Sequence, residues 1–193
     1  MNTANPGCAA RSGWTAPRLD AVAVLAYQEA AKMLEVADDR IIIASRTEAA
    51  RILSSPSKRQ GIGYVVSIGS ASELPPAGLR NVSQRLRLLF EDECEINGLG
   101  PTEHDVRLLI NFAHKIDLSA GRLLVHCQAG ISRSAAAAAI VLATVVGPGS
   151  ELAAAELLHR LYPACRPNRL MLQLAGEALG TGSALTNAWD TVR

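Results

Sequence analysis

The sequence predicts an α/β fold in which a central, mostly parallel sheet of about four to five strands is flanked by helices. Short apolar runs alternate along the chain with segments of helical periodicity, which is typical of strands connected by helices. The run RLLVHC at 122–127 is apolar except at its ends, as expected of a strand buried on both faces. The run SAAAAAIVLATVV at 134–146 is apolar on every side of a helix, which indicates a helix in the core.

The first half of the chain supplies two helices and three strands. Apolar residues at helical spacing predict the first helix, and β-branched or alternating runs predict the strands. These elements are a helix at 19–36, a strand at 41–44, a helix near 47–53, a strand at 62–69 and a strand in RLRLLFED that begins at 85.

The second half begins with an acidic, glycine-containing loop, EDECEINGLGP. Thr102 can cap the following helix, because Asp105 lies three residues later in a capping-box position. GRLLVHC is the fourth strand, and the apolar helix after it ends at Gly147. Two further helices are predicted at 150–161 and 168–179.

The 193 residues are interpreted as one domain with extensions. Residues 1–39 form an N-terminal extension that combines a disordered leader at 1–18 with the first helix, and a transit peptide is an alternative interpretation of the leader. Residues 40–180 form the domain, and 181–193 are expected to be a C-terminal tail.

Composition excludes several classes of function. With 49% hydrophobic residues, a net charge of +1 and 4% aromatic residues, the chain gives no support for nucleic-acid or membrane partners. No apolar run approaches the roughly 20 residues that span a bilayer. Its four cysteines lack C-x-x-C spacing, which disfavours zinc and a disulfide scaffold. We therefore expect a reduced, cytoplasmic monomer.

The stretch HCQAGISRS at 126–134 lies between the fourth strand and the apolar helix. The first N–H groups of a helix lack internal partners and carry the positive end of its dipole, so a loop curled over them forms an anion cradle. Gly130 permits the tight turn, and Arg133 can hold two phosphate oxygens. The predicted phosphate-binding residues are Gln128, Ala129, Gly130, Ile131, Ser132 and Arg133.

Cys127 ends the strand and lies beneath this cradle. A helix N-terminus and a cation lower the pKa of a thiol, so we expect a thiolate placed to attack phosphorus and form a phosphocysteine. The hydroxyl of Ser134 could stabilise that thiolate as a leaving group. His126 could fix the loop through hydrogen bonds.

HCQAGISRS matches HCxxGxxR[ST] and resembles the loop of cysteine-dependent protein tyrosine phosphatases, in particular the dual-specificity branch. The resemblance covers about residues 41–179. It implies a phosphoric monoester hydrolase without metal or cofactor that acts on phosphotyrosine, with phosphoserine and phosphothreonine admitted by a shallow pocket. It also implies that the partner is a phosphorylated protein or a small phosphate ester.

The resemblance further implies a general acid on a loop that follows a strand. Asp92, 35 residues before Cys127, has that place, with Glu91, Glu93 and Glu95 as alternatives. CRPNRL is similar to the family's Pro-Asn stretch, so Asn168 is predicted to support the loop, although it could also be a simple helix cap.

Several alternatives stay open from the sequence. The chain could instead be a phosphoinositide or small-ester phosphatase, a weakly active phosphate-binding module, a sulfurtransferase or an arsenate reductase. Cys94 or Cys165 could be a resolving thiol for an oxidised Cys127. Arg85 and Arg87 are expected on an exposed strand face, with contact to an acidic substrate flank as the other interpretation.

Overall fold

A computed structural model of the protein describes residues 21–192. Within them the sheet has four strands in the order β1-β4-β2-β3, with neighbouring strands parallel throughout. The strands are β1 Ile41–Ser45, β2 Ile62–Gly69, β3 Gln84–Leu89 and β4 Arg122–Cys127. The predicted fold class is therefore confirmed. Because all four strands run the same way, the residues that follow them meet at one edge of the sheet.

Eight α-helices are described in this part of the chain. They are α1 Ala21–Ala37, α2 Arg46–Ser54, α3 Pro56–Arg59, α4 Glu103–Ala113, α5 Arg133–Val146, α6 Glu151–Leu161, α7 Arg169–Leu179 and α8 Ala184–Thr191. The sequence analysis predicted six of them to within a few residues and missed α3, α8 and a short 3₁₀ helix at Leu79–Asn81. The leader predicted at 1–18 lies outside the described residues. No helix in 21–192 is long and apolar enough to span a membrane.

Helix α5 is the centre of the larger core. Its residues from Arg133 to Ala143 are buried, most of them completely. Small alanine side chains let this helix lie close to its neighbours, and Leu123 and Val125 of β4 pack in the same cluster. On the other face of the sheet, Leu124 packs with α2 in a second, smaller cluster. The central strand is therefore buried on both faces, as its sequence predicted.

The capping box at the start of α4 is present as predicted. The Thr102 hydroxyl accepts from the Asp105 backbone N–H, and the Asp105 carboxylate accepts from the Thr102 N–H. Asp105 is thus occupied by helix capping.

The prediction of a tail after residue 180 is wrong for residues 184–191. Gly180 ends α7 in the left-handed conformation, with φ 72°, and the chain then turns into α8. Leu185, Ala188 and Trp189 recur at helical spacing and are buried against the preceding helices. This apolar stripe is too short to be distinctive in the sequence, and tertiary packing determines the helix.

Candidate active site

The loop at residues 128–132, called the cradle loop here, connects the end of β4 to the start of α5. Gly130 has φ 78°, and a Cβ at this position would lie 2.7 Å from the backbone of Ala44 and Ser45. The loop is also tied to the sheet by the Arg46 N–H, which donates to the Gln128 carbonyl at 3.2 Å. The cradle loop therefore rests directly on the end of β1, and a glycine is needed at the contact.

Cys127 is buried at the floor of this loop. Its Sγ lies 3.3 Å from the Ser134 hydroxyl and accepts from the Gly130 N–H at 3.3 Å. Burial opposes ionisation, but hydrogen bonds from Ser134, Gly130 and Ile131 outweigh it and hold the pKa of the Cys127 thiol below its ordinary value. The donors predicted from the sequence thus surround the sulfur atom.

Arg133 is buried at the first turn of α5. Its Nη1 donates to the Phe90 carbonyl at 2.7 Å, which fixes the guanidinium beside the end of β3. Its buried Nε has no hydrogen-bond partner among the described residues, and the nearest carboxylate oxygen, Asp92 Oδ2, is 3.9 Å away. An unpartnered N–H next to a bed of backbone donors is suited to an anionic oxygen.

Asp92 is brought to the cradle loop by two side chains. Its Oδ1 accepts from the Ser132 hydroxyl at 2.7 Å and from the Asn168 amide at 2.9 Å. Oδ2 is left on the side of Arg133. Of the acidic residues at 91–95, Asp92 makes these contacts with the cradle loop, whereas Glu91 accepts from the Ser70 hydroxyl.

Asn168 has two structural tasks at once. Its Oδ1 caps α7 by accepting from the Met171 N–H at 3.0 Å, and its amide donates to Asp92 and to the Glu93 carbonyl. The two interpretations offered by the sequence, a helix cap and a support for the loop, are therefore both realised in the contacts of one side chain.

His126 is buried behind the nucleophile. Its Nε2 lies 2.7 Å from the Ser67 hydroxyl, and its Nδ1 lies 3.4 Å from the Cys127 carbonyl. Burial is the main cause that lowers the pKa of His126 from 6.5 to about 4. Its partner Ser67 was not singled out from the sequence, although a serine inside the apolar strand IGYVVSIG is a usable signal.

Arg87 corrects a further expectation. It was expected on an exposed strand face, but it is half-buried, and its Nη1 donates to Ser67 at 2.8 Å. Arg85 is exposed, as expected, and donates to the Val82 carbonyl. Neither pattern nor spacing distinguishes these two arginines, which are two residues apart on β3.

The remaining cysteines differ in their surroundings. Cys94 is exposed, with its sulfur 3.9 Å from the Asn168 amide. Cys165 is buried beside the Gly130 carbonyl, and burial followed by the charge of Cys127 raises its pKa to about 11. The resolving-thiol hypothesis stays a prediction for both residues. The described residues contain no cluster of three or more His, Cys, Asp or Glu side chains that could hold a metal ion.

Comparison with known sequences gives related proteins but no matching family model. Dual specificity protein phosphatase 15 of Rattus norvegicus is 32% identical over 110 residues, which are 57% of this chain and 43% of the relative. The Homo sapiens protein of the same name is 33% identical over 110 residues, 57% of this chain and 34% of the relative. The chain thus matches less than half the length of these relatives.

Comparison with solved structures shows a shared fold. Human DUSP28 has a TM-score of 0.53 and 18% identity, over 74% of this chain and 90% of that chain. PTPMT1 in complex with PI(5)P has a TM-score of 0.54 and 18% identity, over 81% of this chain and 97% of that chain. A tyrosine phosphatase-like serine/threonine/tyrosine-interacting protein from human has a TM-score of 0.52 and 19% identity, over 66% and 86%.

Proposed function

Because this chain belongs to the dual-specificity phosphatase-like branch of the cysteine-dependent protein tyrosine phosphatases, we propose that it hydrolyses phosphoprotein monoesters through a phosphocysteine. The proposed substrates are phosphotyrosine, and phosphoserine or phosphothreonine where the pocket admits them. One observation carries the proposal: Asp92 is tethered to the cradle loop through Ser132, while the Cys127 sulfur at its floor accepts from the Gly130 N–H. A nucleophile and an acid are thus placed on one anion cradle.

In the first step, the Cys127 thiolate attacks phosphorus and the bond from phosphorus to the substrate oxygen breaks. The N–H groups of the cradle loop and the guanidinium of Arg133 hold the three other phosphate oxygens, including one at the unpartnered Nε. Asp92 gives its proton to the departing oxygen. Since Oδ1 already accepts two hydrogen bonds, Oδ2 is the oxygen that carries this proton.

In the second step, water attacks the phosphocysteine and the sulfur–phosphorus bond breaks. Asp92, now a carboxylate, takes the proton from the water. Ser134 donates to the departing Cys127 sulfur, 3.3 Å away, and so stabilises the thiolate as it is released. Phosphate leaves, and the thiolate is ready for a second cycle.

A phosphoinositide phosphatase is a second candidate, favoured by the fold shared with PTPMT1, whose structure holds PI(5)P. Two features of this chain weigh against it. Gln128 and Ile131 give the cradle loop neutral side chains where a polyanionic headgroup gains from cations. Glu93 and Glu95 follow the proposed acid and add negative charge on that side of the site.

A phosphate-binding module without turnover is the third candidate. The fold is also shared with a human protein described as tyrosine phosphatase-like and serine/threonine/tyrosine-interacting. Binding alone would require neither a lowered thiol pKa at Cys127 nor a tethered carboxylate at Asp92. The presence of both favours catalysis.

A burst experiment tests the proposal. The protein is mixed with p-nitrophenyl phosphate without metal, and wild type is compared with Cys127→Ser, Asp92→Asn and the controls Cys165→Ser and Glu95→Gln. We expect a burst and turnover in wild type and both controls, none in Cys127→Ser, and turnover reduced about 10²- to 10⁴-fold in Asp92→Asn. Binding of phosphate without product in wild type would support the binding module and overturn the proposal.

A further inference from the structure

Three polar side chains form a buried row across the sheet behind the nucleophile. Ser67 on β2 is the register partner of Arg87 on β3 and also of His126 on β4. Register partners on neighbouring strands present their side chains to the same face. Ser67 and His126 are fully buried, and the row is closed by distances of 2.8 Å from Arg87 and 2.7 Å to His126.

The direction of the hydrogen bonds along this row follows from the donors available. A guanidinium only donates, so the Ser67 oxygen must accept from Arg87. The hydroxyl proton of the buried Ser67 then needs an acceptor of its own. Nε2 of His126, 2.7 Å away, can accept it only if that nitrogen carries no proton.

We propose that Arg87 is a positioning residue that fixes His126 as a neutral imidazole with its proton on Nδ1. In this tautomer Nδ1–H donates to the carbonyl of Cys127, 3.4 Å away, and so holds the backbone of the residue that carries the nucleophile. With Nε2 protonated instead, the Cys127 carbonyl would lose this donor and the Ser67 proton would lose its acceptor. The tautomer part of the inference is independent of the proposed function, and the kinetic part rests on it.

The charges around the imidazole agree with a neutral ring. Burial and the positive charges of Arg87 and Arg46 lower the pKa of His126, whereas its hydrogen bond to Cys127 and the charge of Glu73 raise it. The balance leaves His126 neutral above about pH 5. A cationic imidazole would place donors on both nitrogens and remove the acceptor that Ser67 needs.

The path of the Arg87 side chain is prepared by its surroundings. Its Nη2 donates to the Glu73 carbonyl at 3.0 Å, which holds the guanidinium in place from its other side. Gly69 leaves room for it, because a Cβ there would lie 2.6 Å from Arg87 Nη2 and 2.6 Å from Glu73 Oε2. Gly69→Ala therefore disturbs the guanidinium without removing its charge.

The test uses ¹⁵N NMR of the histidine side chains between pH 5 and 8, with the His126 signals assigned from a His126→Gln variant. Wild type, Arg87→Met, Arg87→Lys and Gly69→Ala are compared. Arg85→Met is the matched control, since Arg85 lies on the same strand and contacts Val82 instead. Thermal unfolding of each variant establishes that it is folded before the spectra are compared.

We expect His126 to be neutral and protonated on Nδ1 in wild type and in Arg85→Met. In Arg87→Met and Gly69→Ala we expect a mixture with the Nε2-protonated form, and Arg87→Lys should lie between wild type and Arg87→Met because an ammonium restores one donor. If either disturbed variant fails to fold, the other gives the reading. A wild-type His126 protonated on Nε2, or a tautomer unchanged in the folded Arg87 and Gly69 variants, would overturn the inference.

Kinetics then give the consequence for catalysis. With p-nitrophenyl phosphate, we expect Arg87→Met to lower kcat about tenfold, the effect of losing one buried hydrogen bond, with KM nearly unchanged. If wild type shows the expected tautomer but no turnover, the proposed function fails and the tautomer assignment stands. If it turns over but the tautomer is not the expected one, this inference fails and the proposed function stands.

Discussion

The cradle loop and the acidic loop, residues 91–101, lie together in the site but are built in opposite ways. The cradle loop is held by backbone contacts to β1 and by its position between a buried strand and a buried helix. In the acidic loop, residues 94–99 are all exposed, and Asp92 is fixed by side chains from Ser132 and Asn168. One loop is rigid because of its main chain, whereas the other is positioned by three polar side chains.

This difference separates binding from proton transfer. The donors that would hold phosphate belong to one continuous stretch and cannot move independently of the sheet. The carboxylate of Asp92 depends on two tethers that single substitutions can remove. We therefore expect changes in the cradle loop to abolish the site and changes in the tethers of the acidic loop to reduce its rate.

The largest effect is expected from Gly130→Ala. The new Cβ would collide with the backbone of Ala44 and Ser45, so the loop must move and its N–H groups no longer converge. We expect kcat for p-nitrophenyl phosphate to fall about 10³-fold, the effect of losing an oxyanion donor. Gly98→Ala in the acidic loop is the control: it has a similar φ of 81° with nothing within 4 Å, and its kcat should stay within a few-fold of wild type. Equal losses in the two variants would contradict the comparison.

A second large effect concerns His126 beneath the cradle loop. Its pKa is lowered from 6.5 to about 4, so between these values the unfolded chain binds more protons than the folded one. The stability is therefore complete above pH 6.5 and is lost as the pH falls toward 4, by about 3 kcal/mol in total. Urea unfolding from pH 4 to 7 measures this slope. His126→Gln should reduce it and the exposed His104→Gln should not, and a wild-type stability that is flat over this range would refute the prediction.

Asn168→Ser addresses the tether of the acidic loop. Serine keeps an acceptor for the cap of α7 but removes the amide donors to Asp92 and Glu93. We expect kcat to fall about tenfold with KM little changed, because a hydrogen bond to a charged group contributes roughly 1.5–3 kcal/mol and Ser132 still holds Asp92. Stopped-flow measurement of product release and turnover checks this.

The control for Asn168→Ser is Thr102→Ala, which removes the cap of α4 away from the cradle loop. It should lower stability by about 1 kcal/mol and leave kcat unchanged. A kcat for Asn168→Ser equal to that of wild type would mean that Ser132 alone positions the carboxylate.

The smallest effect is expected from Ser134→Ala, which changes the titration of the nucleophile. Its hydroxyl helps to lower the pKa of Cys127, so the variant should have a higher thiol pKa, and the rising limb of kcat/KM against pH should move to higher pH. Ser132→Ala should weaken the tether of Asp92 without moving that limb. A limb that moves in Ser132→Ala and stays in Ser134→Ala would assign the two hydroxyls the wrong way round.

The sequence predicted what is local. Cys127, Gly130 and Arg133 lie within seven residues, and their chemistry follows from the strand and helix that flank them. The Thr102–Asp105 capping box was likewise readable, because its partners are three residues apart. Such features need only the conformation of one short segment.

Contacts between distant segments were harder to predict. The sequence offered Asp92 and Asn168 as candidates but not the bond between them, which joins residues 76 apart. Ser67 reaches His126 across 59 residues and was not singled out. Arg87 was placed outside because an arginine on a strand is usually exposed, and only the register with Ser67 turns it inward. These arrangements depend on the order of the strands, which hydropathy does not contain.

The strand order also has a consequence for how the chain is made. β1 pairs only with β4 within the described sheet, so Ile41 has no strand partner until Leu123 has been synthesised. A nascent chain that stops before β4 therefore presents the edges of β1 and β2 unpaired, together with the apolar side chains that α5 would cover. The strand that ends in the nucleophile completes the sheet, and folding on the ribosome must wait for it.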